Sequence, residues 1–76
     1  MYCHNMSSLT KREMQILKMI GEGWNSVEIG EQTGLKPSTI SSHRKNILRK
    51  TGARNIVSVI IFAVQERLIR VENLAA

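Results

Sequence analysis

The residues best equipped for chemistry lie between positions 36 and 54. Six of them are basic (Lys36, Arg44, Lys45, Arg49, Lys50, Arg54) and none is acidic, in a 76-residue chain with 11 Lys and Arg against 6 Asp and Glu. The net charge of +5 therefore resides in that quarter of the chain, and the remainder is slightly acidic. Arg and Lys at this density neutralise phosphates and release condensed counterions, while small hydroxyls and flexible amines reach the edges of bases. Spaced at 100° per residue, Ser38, Ser42, Lys45 and Arg49 share one side of a helix, and Ile40, Ile47, Leu48 and Thr51 share the other. The polar side is small, hydroxylated and basic, and a carboxylate there would repel an anionic partner.

The flanking sequence must supply the elements that hold this helix. Thr10 followed by Glu13 has the spacing of a capping box, with Leu9 placed to staple onto Met14. A first helix is expected from near Lys11 to near Ile20, with Ile16, Leu17 and Ile20 on its inner face and Gly21 and Gly23 ending it. The grammar repeats at Asn25 and Glu28, with Trp24 stapling onto Ile29, and gives a short second helix ending before Gly34. Pro37 suits the first position of the next helix, because its missing N–H would be an orphan there in any case. The basic helix then spans about 37–51 and closes at Gly52, and a fourth starts near Asn55 and runs to about Arg67. The fold class read from this is all-α, four helices, in one domain over about 8–70. Residues 1–7 and 71–76 show no periodicity and are read as tails or linker.

Several functions are disfavoured. Cys3 is the only cysteine, so no internal disulfide forms, and a reducing cytoplasm fits. Cys3 and His4 have no partners at zinc-site spacing, and no metal or cofactor is expected. The strongly apolar run at 59–64 is far below the roughly 18 residues a membrane span needs. Glu13 is read as a cap, no nucleophile stands beside a base, and no phosphate-cradling glycine loop occurs, so enzymatic activity is not expected. With three aromatic residues in the chain, Trp24 is read as core and not as a base-stacking platform, which argues against single-stranded nucleic acid.

A short helix, a turn containing Gly and a longer basic helix form the helix-turn-helix pattern, whose second helix enters the major groove of DNA. The residues also resemble the LuxR-type (GerE-like) DNA-binding domain of bacterial transcription regulators. The likeness covers 9–69 and rests on Leu9-Thr10-x-Arg12-Glu13-x-x-Ile16-Leu17, Gly23, Glu28-Ile29, Pro37-x-Thr39-Ile40-x-x-His43-x-x-Asn46-Ile47-Leu48-Arg49-Lys50, Gly52, Asn55 and Leu68-Ile69. It implies base contacts from Ser41, Ser42 and Lys45 and phosphate contacts from Thr39, Arg49 and Lys50. To these sets we add Ser38 for bases, and Lys36, His43 and Arg44 for phosphates. His43 is also read as a hydrogen-bonded residue that orients the helix, and Arg44 as packing its stem while its head reaches water. Val27 and Lys36 depart from the family, which often carries Lys at the first position and a Ser or Thr cap at the second.

The expected partner is double-stranded DNA, read sequence-specifically. A protein-interaction module that kept the fold but lost DNA affinity would have no electrostatic reason to keep an acid-free basic helix. The fourth helix carries more apolar residues than one face needs. Val57, Ile60, Ile61, Val64 and Leu68 are expected in the core, which leaves Val59, Phe62 and Ala63, with Glu66 beside them, as the face of a weak or DNA-assisted homodimer.

Overall fold

The computed structural model describes residues 8–70, and Cys3 and His4 and both expected tails lie outside the described residues. Four helices, α1 (Lys11–Gly21), α2 (Ser26–Thr33), α3 (Pro37–Thr51) and α4 (Ile56–Gln65), make up the regular structure, with no strand among the described residues. Both capping boxes form. Thr10 Oγ1 accepts from the Glu13 N–H at 3.1 Å, and Glu13 Oε1 accepts from the Thr10 N–H at 2.9 Å. Asn25 and Glu28 exchange the equivalent pair, both at 2.9 Å. These contacts satisfy orphan amides that the first turns would otherwise leave bare.

Helices α2 and α3 end alike. Thr33 Oγ1 donates to the Ile29 carbonyl at 2.7 Å and accepts from the Leu35 N–H at 3.3 Å, and Thr51 Oγ1 donates to the Ile47 carbonyl at 2.8 Å and accepts from the Ala53 N–H at 3.4 Å. Gly34 and Gly52 follow at φ 78° and 71°, in the left-handed region that side-chain-bearing residues avoid, and reverse the chain. The turn after α2 is held close by Gly30, where a Cβ would lie 2.6 Å from the Leu35 carbonyl oxygen. That approach leaves no room for a side chain at position 30.

Two apolar clusters hold the helices. Ile16 of α1, Ile29 of α2 and Ile40 of α3 form one, with Trp24 and Leu35 packed against it. Leu17 of α1, Ile47 of α3 and Val59, Ile60 and Ala63 of α4 form the other, with Leu9 and Met14 alongside. Helix α4 meets this cluster by Val59, Ile60 and Ala63, of which only Ile60 was expected inside. Val59 and Ala63 are buried, whereas Val57 and Ile61, expected inside, are 58% and 51% exposed. Both stripes have helical spacing, so periodicity does not choose between them. The methyl of Ala63 allows the close approach to α1 and α3 that the bulkier stripe would block. Val59 and Ala63 are therefore corrected from dimer face to core.

Helix α4 also stops at Gln65, short of the expected Arg67. Arg67 adopts φ 59°, and the Leu68 and Arg67 amides donate to the carbonyls of Ala63 at 2.8 Å and Val64 at 3.0 Å, a Schellman closure with arginine where glycine is usual.

Two substitutions test these backbone arguments by urea denaturation. Gly30→Ala is expected to cost about 1–3 kcal/mol through the clash with the turn. Arg67→Gly is expected to raise stability by about 0.5–1 kcal/mol by relieving the left-handed strain.

Candidate nucleic-acid interface

Helix α3 buries Ile40, Ile47 and Thr51, and this pins its rotation about its own axis. The residues on the far side follow from that. Ser38, Ser41, Ser42, Lys45 and Arg49 are all exposed, and they form one band along the helix with no carboxylate in it. Arg49 Nη2 makes one long contact, 3.4 Å, to Asn46 Oδ1 on the same helix, which leaves most of its guanidinium donors available. Ser42 Oγ donates to the Ser38 carbonyl at 3.1 Å, so in this rotamer its hydroxyl offers lone pairs outward and not a proton.

Lys36 is the N-cap of α3, is exposed, and makes no side-chain capping bond. The Thr39 and Ile40 amides both donate to its carbonyl, at 3.0 and 3.1 Å. Thr39 itself is half-buried, the residue after Ser38 and to one side of the band. The first turn of α3 carries no acidic side chain, so the positive end of the helix dipole adds to the field of Lys36.

Arg44 is exposed, as a head that reaches water requires, and Leu48, next to it around the helix, is the half-buried residue at that edge. Two expectations change. His43 is half-buried and its Nδ1 is buried without a hydrogen-bond partner, which removes the orienting hydrogen bond expected of it through that atom.

Lys50 is the second. Its Nζ lies 2.8 Å from Glu13 Oε1, with its side chain 22% exposed and that of Glu13 4% exposed. The ammonium expected on a phosphate is engaged by a buried carboxylate from the far end of α1. Burial by itself would raise the Glu13 pKa. The Lys50 hydrogen bond, the Thr10 amide, the Lys50 charge and the Thr10 hydroxyl outweigh it, and hold the carboxyl below its ordinary value near 4.5. One carboxylate thus caps α1 and clamps the last turn of α3. The sequence showed its capping role only, because a partner 37 residues away leaves no mark in local spacing.

A short helix with an N-terminal cap, a left-handed glycine turn and a second helix presenting an acid-free basic band define a helix-turn-helix domain. The family model described as bacterial regulatory proteins, luxR family, matches residues 7–63. The chain belongs to that family of DNA-binding transcription regulators. It is 36% identical over 66 residues to the Fimbriae Z protein of Salmonella typhimurium, covering 87% of this chain and 31% of that one. It is likewise 36% identical over 62 residues to the response regulator protein VraR of Staphylococcus aureus, covering 82% of this chain and 30% of that one. The chain thus spans about a third of the length of these relatives. No helix among the described residues is long and apolar enough to cross a membrane.

A group whose folded pKa is lowered stabilises the fold above its unfolded pKa, and that contribution is lost as pH falls through the folded pKa. Glu13 should therefore make urea stability decline as pH drops below about 4.5, while Glu13→Gln, less stable at pH 7, declines less steeply over the same window. Parallel curves for the two proteins would show that Glu13 does not carry this dependence.

Proposed function

We propose that the chain binds duplex DNA sequence-specifically in the cytoplasm to regulate transcription, as a non-enzymatic domain spanning about 8–70, with α3 lying in the major groove. The observation that carries this reading is the continuous exposed band of Ser38, Ser41, Ser42, Lys45 and Arg49, on a helix whose rotation the core fixes. In a groove about 12 Å wide a helix fits with one face toward the bases. Lys45, near the middle of the band, suits the acceptors of guanine. Ser42, with its proton turned back to the helix, suits an amino donor of adenine or cytosine. Ser38 and Ser41 border them. Arg44, Lys36 and Thr39, and His43 through Nε2, lie toward the flanks, where phosphates run, and Arg49 at the C-terminal end of the band reaches a phosphate there.

The reading includes a second copy. The apolar side of α4 left outside by the core forms, with the end of α1, an open groove of about 380 Å³ lined by Ile20, Gly21, Val57, Ile60, Ile61, Val64 and Gln65. No charged residue lines it. A second copy of this chain presents the same uncharged stripe, and an isologous pair sets two α3 helices on a two-fold site. Two domains of charge +5 repel in free solution, so pairing is expected to be weak until DNA phosphates neutralise them. The dimer face is thus Val57, Ile61 and Val64. Phe62 is half-buried, and Glu66, though exposed, lies past the end of the stripe.

A 30-base-pair duplex selected by the protein from a random pool supplies the probe. Lys45→Ala and Ser42→Ala should each reduce discrimination among single-base variants of it by about 1–3 kcal/mol at the contacted position, with unchanged helix content. Variants that keep the parent's ranking and spacing of affinities would show that these residues do not read bases. On a palindromic duplex Ile61→Glu should abolish cooperative binding of the second copy. If it binds two per site as the parent does, α4 is not the dimer face.

A further inference from the structure

The Glu13–Lys50 bridge joins the first turn of α1 to the last turn of α3. Helix α3 is fixed along its length by Ile40 and Ile47, but its last turn carries Arg49 outward and Lys50 inward. Glu13 is itself held by the Thr10 amide, so its carboxylate has a fixed position relative to α1. Lys50, at 2.8 Å, ties the C-terminal turn of α3 to that fixed point. Both partners are largely withdrawn from water, where screening is weak and a charge-assisted bond has more hold than at the surface. A positive side chain in the last turn also complements the negative end of the α3 dipole.

We infer that Lys50 is a positioning residue for DNA recognition, which acts through Glu13 to set the tilt of α3, and not a phosphate contact. This rests on the reading of α3 as the base-reading helix. The two roles predict different physics. A phosphate contact contributes to every duplex alike and to the salt dependence, about one unit of slope per lysine. A positioning residue affects only interactions that require accurate placement, namely the base contacts, and so alters the ratio between a selected and a shuffled duplex while leaving the slope alone.

The sign of one variant separates the roles further. Glu13→Gln removes a negative charge and loosens the hold on Lys50 while keeping an oxygen acceptor for the Thr10 amide. If Lys50 were a phosphate ligand held back by Glu13, this change would strengthen binding to both duplexes. If the bridge sets the tilt, it lowers the preference for the selected one.

The experiment measures affinity over a salt series for the parent, Glu13→Gln, Lys50→Met, Lys50→Arg and Arg49→Ala, on the selected 30-base-pair duplex and on a shuffled duplex of the same composition. The temperature is set by melting curves so that each protein is folded. Glu13→Gln and Lys50→Met are expected to lower the selected-to-shuffled ratio about fivefold or more, the scale of one weakened base contact. Their slopes on the shuffled duplex should stay with the parent's, Lys50→Arg should restore the ratio, and Arg49→Ala should flatten the slope by about one unit. If Lys50→Met fails to fold, Glu13→Gln decides on the same ratio. The inference is overturned if Lys50→Met flattens the slope as Arg49→Ala does, if Glu13→Gln strengthens binding to both duplexes, or if the folded bridge variants keep the parent's ratio. A parent that does not prefer the selected duplex contradicts the DNA reading itself and removes the basis of this inference.

Discussion

Ile40 and Ile47 sit seven residues apart on α3, two turns along the same stripe, and each is fully buried in a different apolar cluster. The rest of the structure depends on this double anchorage. One buried side chain would leave a helix free to roll, whereas two in separate clusters define a line through the core. The opposite face is then committed to solvent along its whole length. Helix α1 supplies the facing line, since its adjacent Ile16 and Leu17 divide between the same two clusters. Helices α2 and α4 close one cluster each, and the contacts that hold α3 are the core of the domain itself.

Electrostatics follow that geometry. The outward band of α3 is free of acid, while Glu22, Glu28 and Glu31 gather with Trp24 around a shallow concavity formed by the α1–α2 connection and α2. Among the described residues, Glu13 is the one carboxylate that reaches into the basic segment, and it does so from the inside, against Lys50. Burying an acid beside the interface is tolerable because it is bonded on two sides. Its negative charge is offset locally and does not project into the field presented to a polyanion. The domain therefore keeps a positive working surface without leaving a carboxylate unpaired in its interior.

What was legible in the sequence was local. The helix starts at Thr10, Asn25 and Asn55, the proline at the first position of α3, and the glycines closing α2 and α3 are short-range arrangements whose chemistry lies within four residues. The polar band of α3 was legible for the same reason, since its apolar stripe is narrow and unambiguous. Helix α4 was legible only in part, because Ile60 lies between the buried Val59 and Ala63 and the exposed Val57 and Ile61, and the two sides are similarly apolar. Only packing against α1 and α3 distinguishes them. The close approach at Gly30 and the pairing of Lys50 with Glu13 are likewise tertiary facts. The family resemblance implied a phosphate contact for Lys50, and no local spacing shows the carboxylate 37 residues away that claims it.

The central claim, that the face of α3 opposite Ile40 and Ile47 lies against base edges in the major groove, is tested most directly by chemical probing of the bound duplex. Dimethyl sulfate modifies guanine N7 in the major groove and adenine N3 in the minor groove, and so reports the two surfaces separately. With the selected duplex saturated by the protein, the account predicts protection of guanine N7 at positions within each half-site, with adenine N3 there left reactive. Protection confined to adenine N3, with every guanine N7 as reactive as in free DNA, would contradict it.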